Sequence, residues 1–253
     1  MITSEPRVPT PGGPMRTYVA RPDGEGPFPA VILYSNIRGL SDDLRWCARQ
    51  YAQAGFYCAA PDVYHRLGDI VLDADSTDED ALKIKAIAYA HALTPFQTAR
   101  DAEALMDFMD RDLVVGTGPK GVVGHCMGGY FAPLLAGLYP DRIRAAASVN
   151  PVKLLNDAED NPRQYLDRTQ GELYFGFAEL DKNTPPEMIA TWTELLERTC
   201  SAQWQVHTHP GQKHGFAVPG RPAIWSKSGA AEVFATTIDL FRRQLDGQRP
   251  AAA

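Results

Sequence analysis

Apolar runs and amphipathic spacings alternate along the first part of the chain. Residues 29–35 form an almost continuous apolar run, and residues 56–60 form a second one. Runs of this kind are typical of central parallel strands that are covered on both faces. Between them, Ser41 can cap a helix whose apolar face includes Leu44 and Tyr51 at three- and four-residue spacing. The pattern predicts a strand, a helix and a second strand in succession.

The alternation continues to the carboxyl end of the chain. Residues 150–170 are polar and irregular, which predicts a loop or cap over one end of the sheet. Because strands alternate with helices, we expect a mostly parallel sheet with helices packed against it. The further predicted helices cover 79–93, 96–111, 130–139, 188–196 and 233–245, and the further strands lie near 121–123 and at 143–149, 172–177 and 203–209.

The nine residues from 121 to 129 carry the most specific motif. Gly124-His-Cys126-Met-Gly128 has the G-x-nucleophile-x-G pattern of a nucleophile elbow, with cysteine at the central position. In such an elbow a strand turns sharply into a helix, and the central side chain is exposed at the tip. The flanking small residues let the strand and the helix approach closely. The motif predicts that Cys126 is a nucleophile at the carboxyl end of a strand, where open α/β sheets place their sites.

A thiol nucleophile needs a base, and the base needs an orienting group. His214 lies just past the strand predicted at 203–209, and Asp181 lies just past the strand at 172–177. Nucleophile, acid and histidine therefore follow in the order found in α/β hydrolases. Glu179 and Asp157 are alternative acids. The sequence predicts one α/β-hydrolase domain over residues 15–246, with an N-terminal extension at 1–14 and a disordered tail at 247–253.

Other histidines compete with His214 for a role. His207 and His209 alternate along a predicted strand and point to the same face, which raises the question of a metal site. Spacing identifies no third ligand, so a surface or packed pair is the favoured interpretation, and no metal and no cofactor are expected. His125 directly precedes the nucleophile, so we expect it to shape the substrate pocket rather than to act as the base.

Composition excludes several classes of function. A net charge of -6, with no run of Lys or Arg, argues against non-specific nucleic-acid binding. Residues 1–13 lack the pattern of a signal peptide, and no apolar run approaches the ~20 residues that span a bilayer. The four cysteines are widely spaced, as in proteins that keep reduced thiols. We expect a cytoplasmic protein without a membrane partner, either a monomer or a homodimer.

With these residues in hand, the chain resembles the dienelactone hydrolase family of α/β hydrolases. The resemblance covers roughly residues 15–245. It implies hydrolysis of a small-molecule ester or lactone, with Cys126 as nucleophile, Asp181 as acid and His214 as base. The backbone N–H groups of Ile37 and Met127 would then hold the oxyanion. The matching segments are Gly124-His-Cys-Met-Gly-Gly129, Ala60-Pro-Asp-Val-Tyr64, Asp181 and His214-Gly-Phe216.

Two positions depart from the family pattern. Members that cleave dienelactone carry a glutamate after the central strand, where this chain has Asn36. They also carry an arginine four residues after the catalytic histidine, where this chain has Val218. Because a charged hydrogen bond contributes about 1.5–3 kcal/mol, the second change favours a neutral or larger substrate over an anionic lactone. The residues expected around the substrate are Asn36, Arg38, Tyr64, His125, Phe216 and Trp225.

Two other classes of function compete with hydrolysis. A ligand-binding protein without activity could use the same scaffold, and the asparagine at position 36 keeps that hypothesis open. A redox-responsive thiol is the other, because a cysteine at a helix N-terminus beside a histidine is easily oxidised. No resolving cysteine lies near Cys126 in the sequence. Serine is the commoner nucleophile in this fold, so a cysteine that replaces a native serine at position 126 is a further hypothesis.

Overall fold

One mixed sheet organises the chain in the computed structural model, which describes residues 1–68, 70, 72 and 79–245, without the side chains of 79–81. The strand order is β1-β3-β5-β4-β6-β7-β8-β9, and β2 pairs separately with β3. The strands from β4 to β9 run parallel, whereas β1, β2 and β5 are antiparallel to β3. The strands are β1 Ile2–Ser4, β2 Arg7–Thr10, β3 Gly13–Arg21, β4 Ala30–Tyr34, β5 Tyr57–Pro61, β6 Lys120–His125, β7 Ile143–Val149, β8 Glu172–Ala178 and β9 Gln203–His209.

Helices cover both faces of this sheet. One apolar layer lies between the sheet and α3, α4 and α5, through residues such as Leu105, Phe131 and Trp192. A second layer, which includes Tyr51 and Phe241, lies beneath α1 and α6. The predicted α/β-hydrolase fold class is confirmed. The helices are α1 Asp42–Gln53, α2 Glu79–His91, α3 Pro95–Asp110, α4 Met127–Leu138, α5 Pro186–Thr199 and α6 Lys227–Leu245.

Several predicted boundaries move by a few residues. Ser41 caps α1 as expected, because its hydroxyl oxygen accepts a hydrogen bond from the backbone N–H of Leu44. Helix α4 begins at Met127, three residues before the predicted start. The glycines at 128 and 129 disfavour a helix by propensity, so tertiary packing sets that first turn. The polar segment predicted as a loop contains a 3₁₀ helix at Pro162–Arg168.

The amino-terminal strands were not anticipated. Residues 2–4 and 7–10 of the predicted extension pair with β3, and Val8 is fully buried. The division into an extension and a single domain stays a prediction, and the tail at 247–253 lies outside the described residues. No helix within the described part of the chain has the length and apolar character needed to cross a bilayer.

Candidate active site

Cys126 occupies a strained turn between β6 and α4. Its backbone has φ 57° and ψ -112°, although the residue is not glycine. A non-glycine residue in such a region costs on the order of 1–3 kcal/mol, which the surrounding structure must offset. The backbone N–H of Cys126 donates to Val149 O at 2.9 Å, and Cys126 O accepts from Gly129 N at 3.0 Å. These bonds hold the thiol-bearing residue at the end of its strand.

The glycines of the motif permit the close approach that the turn requires. A Cβ on Gly124 would overlap the backbone carbonyl of Gly128. A Cβ on Gly128 would come within 2.6 Å of Tyr34 O. The N–H of Gly128 instead donates to Ser35 O at 2.9 Å, which ties the start of α4 to the end of β4. Strand and helix can therefore pack only where side chains are absent.

His214 and Asp181 meet on adjacent loops after β9 and β8. His214 Nδ1 lies 2.5 Å from Asp181 Oδ2. The Asp181 side chain is fully buried, whereas the His214 side chain retains 23% exposure. The other carboxylate oxygen of Asp181 accepts from the backbone N–H and the side-chain amide of Asn183, each at 2.9 Å. These bonds fix the position of the carboxylate, which in turn orients the imidazole of His214.

The contacts around His214 favour its charged form. Burial alone would lower the pKa of His214, but hydrogen bonds and charges at Asp181 and Cys126 raise it from 6.5 to about 10. Burial would raise the pKa of Asp181, yet the contacts with His214 and Asn183 lower it below 3.8. An imidazolium can donate a hydrogen bond to a thiolate, so this geometry suits a Cys–His ion pair.

The alternative acids and histidines have other partners. Glu179 accepts a hydrogen bond from the backbone N–H of Gly211 at 2.7 Å. Asp157 is almost fully exposed and pairs with Arg163 at 2.5 Å. His207 and His209 both face Glu232. Asp181 is therefore the carboxylate that contacts His214, and Asn183, two residues further on, is the supporting side chain that sequence analysis missed.

The turn after β4 presents one of the two expected oxyanion donors. Neither the Ile37 N–H nor the Met127 N–H has a hydrogen-bond partner within the described part of the chain. The Asn36 side-chain oxygen accepts from the Arg38 backbone N–H at 2.8 Å. The Tyr64 hydroxyl donates to Ile37 O at 2.8 Å. These two bonds fix the peptide between Ile37 and Arg38, which directly follows the free Ile37 N–H.

The residues expected around the substrate differ widely in exposure. Tyr64 is buried and reaches Met127 Sδ at 3.9 Å. Phe216 is fully buried and its ring packs at a tilt against the ring of His209, a placement that supports the loop carrying His214. Asn36 and Arg38 are half-buried, and Trp225 is exposed.

His125 is buried on the strand that ends at Cys126. Its Nε2 has no hydrogen-bond partner among the residues that the structure describes, and burial lowers its pKa from 6.5 to about 4. It is therefore neutral at ordinary pH. Asn150, directly after the adjacent strand β7, has φ 46° and a buried side-chain amide with no hydrogen-bond partner in the described part of the chain. Sequence analysis missed Asn150, although an Asn directly after an apolar strand is a recognisable signal for a left-handed residue.

Comparison with known proteins agrees with this arrangement of fold and motif. The dienelactone hydrolase family model matches residues 15–245. A protein of Synechocystis sp. with the provisional name carboxymethylenebutenolidase is 25% identical over 236 residues, which cover 90% of this chain and 91% of that protein. A protein of the same provisional name from Escherichia coli O157:H7 is 28% identical over 237 residues, covering 87% and 80%.

Solved structures share the fold. A provisionally named dienelactone hydrolase from Klebsiella pneumoniae subsp. pneumoniae superposes with a TM-score of 0.83 at 22% identity, covering 96% of this chain and 98% of that one. A dienelactone hydrolase-like promiscuous phosphotriesterase from metagenomic libraries gives 0.75 at 21% identity, covering 97% and 100%. The match over residues 15–245, together with the elbow on this fold, shows that the chain belongs to the dienelactone hydrolase family and is a carboxylic ester or lactone hydrolase.

Proposed function

We propose that the hydrolase works through a Cys126 thiolate and a covalent acyl-enzyme. The observation that carries this proposal is the contact of 2.5 Å between His214 and the buried Asp181, with Cys126 as the other partner of the imidazole. The strained elbow presents the thiol at the N-terminus of α4, where the helix dipole favours a negative charge. These are the parts that nucleophilic catalysis requires.

Acylation follows from these positions. The Cys126 sulfur attacks the carbonyl carbon of the ester, and the carbonyl oxygen becomes an oxyanion. The free N–H groups of Ile37 and Met127 are the proposed donors to that oxygen. As the tetrahedral intermediate collapses, the bond from carbon to the alkoxy oxygen breaks, and the His214 imidazolium donates a proton to the leaving oxygen. In a lactone that oxygen remains attached to the acyl group.

Deacylation uses the same groups in the reverse sense. The neutral His214 accepts a proton from water, and the hydroxide attacks the thioester carbon. The carbon–sulfur bond breaks, which releases the carboxylic acid and restores the thiolate beside an imidazolium. Asp181 keeps the imidazole in one orientation and stabilises its positive charge in both steps. The net reaction consumes one ester bond and one water.

Intact mass and turnover together test this proposal. We would follow p-nitrophenyl acetate hydrolysis at neutral pH with the unmodified enzyme, Cys126→Ala and Cys126→Ser. Cys200→Ala is the matched control, because Cys200 is the other partly exposed free thiol of the described chain. We expect steady turnover that Cys126→Ala abolishes and Cys200→Ala retains. Turnover that survives in Cys126→Ala would contradict the thiol mechanism.

The same experiment separates the other hypotheses. A single burst that leaves an acyl mass on Cys126 means that the thiol attacks but deacylation fails. Faster turnover in Cys126→Ser than in the unmodified enzyme would favour the hypothesis that Cys126 replaces a native serine. No product and no adduct on a panel of esters would favour a ligand-binding protein. Loss of activity after mild peroxide, recovered by a thiol reductant, would favour the redox-responsive thiol.

We propose a neutral ester or lactone as the substrate. Val218 is buried and apolar at the position where dienelactone-cleaving relatives have an arginine. Arg38, whose charge interacts with Asp43, and Arg221 are the candidates for a substitute, and neither occupies the position of Val218. Paired esters that differ only by a terminal methyl ester or carboxylate test the proposal. A higher kcat/KM for the carboxylate would contradict it.

The location and assembly of the enzyme belong to the proposal as well. All four cysteines are free thiols, and two of them, Cys47 and Cys58, are buried in the core. Free thiols are typical of proteins in a reducing compartment, which supports the cytoplasm. A monomer or a homodimer is the expected assembly, and light scattering after size-exclusion chromatography would show which one forms.

A further inference from the structure

A second group of histidines lies on the last strand of the sheet, away from Cys126. His207 and His209 are two residues apart on β9, so their side chains share one face. Their ring centroids are 4.4 Å apart. Glu232 on α6 faces both of them, with Oε1 3.3 Å from His207 Nε2 and Oε2 3.2 Å from His209 Nδ1. Two imidazoles and one carboxylate therefore converge on one point.

The spacing of these donors matches that of metal ligands. One ligand atom from each residue lies within 4.8 Å of the other two. Ligands at ~2.0–2.2 Å from a tetrahedral zinc ion are separated by roughly 3.3 Å. Each imidazole already has one nitrogen at about that distance from a Glu232 oxygen, but the two distances reach different oxygens, so an ion bound through one oxygen requires the three donor atoms to come closer together. Because His207 and Glu232 are about half exposed, their side chains can rotate to close that gap.

The surroundings of His209 hold its ring in place. Its side chain is only 1% exposed, and its ring packs 5.0 Å from the ring of Phe216. The Nε2 atom lies 3.0 Å from the Tyr174 hydroxyl. Histidine ligands of metals usually bond through their other ring nitrogen to a neighbouring group, which fixes the tautomer and the ring orientation. Tyr174 can serve in this way and leave Nδ1 for an ion.

We propose that His207, His209 and Glu232 form a binding site for one divalent transition-metal ion such as Zn²⁺. Two imidazoles and one carboxylate are a ligand set that zinc accepts with a fourth position left for water. The exposed His207 and Glu232 side chains place that position toward solvent. No other group of three such side chains with this spacing occurs in the part of the chain that the structure describes.

An ion at this site would connect α6 to the segment that carries the active-site histidine. The carbonyl of His209 accepts from the Glu179 N–H at 3.1 Å and from the Gln212 N–H at 3.4 Å. Gln212 in turn accepts from the Leu180 N–H at 2.8 Å. His214 follows two residues later. Binding should therefore slow hydrogen exchange in residues 207–216, whatever the enzyme's substrate is.

Calorimetry with Zn²⁺ alone tests the proposal on the full chain after treatment with a chelator. The variants are His207→Gln and Glu232→Gln, whose half-exposed side chains can be replaced with little cost to folding. His91→Gln is the matched control for a surface histidine. A background of Cys126→Ala removes the competing thiolate. We expect one ion per chain in that background and in His91→Gln, with at least about tenfold weaker binding in His207→Gln and in Glu232→Gln.

Cobalt absorption supplies an independent readout. Co²⁺ bound by nitrogen and oxygen ligands lacks the thiolate charge-transfer band, so a visible spectrum without that band, lost in Glu232→Gln, would support the site. Three results would overturn the proposal. The first is a Cys126→Ala protein that binds no Zn²⁺. The second is a cobalt spectrum that shows the thiolate band and disappears completely in Cys126→Ala. The third is equal Zn²⁺ affinity in His207→Gln, Glu232→Gln and His91→Gln.

Discussion

The structure contains two histidine–carboxylate pairs whose histidines are five residues apart in the chain, and the order of burial within the two pairs is reversed. In one, the Asp181 side chain is fully buried and His214 retains 23% exposure. In the other, His209 is 1% exposed and the Glu232 side chain is 50% exposed. Burial lowers the pKa of His209, although Glu232 opposes this effect, whereas the contacts of His214 raise its pKa.

The difference shows how position decides what a histidine can do. A carboxylate held inside the protein by two donors cannot turn to water, so its charge acts on the imidazole beside it. A half-exposed carboxylate is solvated and stabilises an imidazolium less. The first arrangement suits a residue that gives and takes protons during turnover. The second favours a neutral ring, with Glu232 beside its Nδ1 atom and Tyr174 beside its Nε2 atom.

The largest effect is expected from His214→Gln. Removal of the base and acid of both chemical steps should lower kcat/KM by about 10³-fold or more. Ester hydrolysis measured beside His91→Gln, an exposed histidine of α2, controls for the loss of an imidazole as such. A loss of similar size in metal-free His207→Gln would break the distinction between the two pairs.

Asp181→Asn should have the next largest effect. The substitution keeps the size of the side chain but removes the charge that orients and stabilises the imidazolium, so kcat/KM should fall by about 10²–10⁴-fold. Glu179→Gln is the matched control, because Glu179 lies two residues earlier and bonds to Gly211 rather than to His214. If Glu179→Gln lost as much activity as Asp181→Asn, the assignment of the acid would be wrong.

The same substitution predicts a pH window for stability. A histidine whose pKa is raised on folding stabilises the protein fully below its unfolded pKa of 6.5, and the contribution fades as the pH rises toward about 10. Asp181 remains ionised down to below 3.8. The free energy of unfolding of the unmodified enzyme should therefore exceed that of Asp181→Asn by about 1.5–3 kcal/mol between pH 4 and 6.5.

Urea unfolding across the range from pH 4 to 10 measures this difference. The gap between the two proteins should narrow steadily above pH 6.5. A gap that stays constant to pH 10 would mean that Asp181 stabilises the loop through its hydrogen bonds to Asn183 and not through the charge on His214. Glu179→Gln should show no such dependence, because the Glu179 carboxylate bonds to the backbone N–H of Gly211 and to no histidine among the described residues.

Much of the sheet could be predicted from local patterns. The strands at 143–149 and 203–209 match the structure at both ends because they alternate or run apolar between clear turn residues. The amino-terminal strands were missed because short polar segments such as residues 7–10 carry almost no apolar signal. Val8 is the only fully buried residue among those four. Their strand structure comes from pairing with β3, which a local pattern does not contain.

The two histidine–carboxylate pairs also differ in how well the sequence predicts them. Cys126 has a motif, and chain order then selects Asp181 and His214 as its partners. Glu232 has neither, because it lies on a helix 23 residues after His209. The periodicity of apolar residues predicts which face of α6 packs in the core. It does not predict which residues lie beside the polar face of α6. Sequence spacing therefore could not identify Glu232 as a neighbour of the two histidines.

The smallest expected effect concerns the second pair. At a Zn²⁺ concentration ten times the dissociation constant, mass action should stabilise the folded state by about 1.4 kcal/mol, or roughly 3–5 °C in Tm for a chain of this size. Calorimetric melting of Cys126→Ala, with and without Zn²⁺, isolates this shift from the active-site thiol. The shift should vanish in Cys126→Ala/Glu232→Gln and persist in Cys126→Ala/His91→Gln. A shift that survives the loss of Glu232 would place the ion elsewhere, and the exposed carboxylate would then serve only as a charge partner for the two imidazoles.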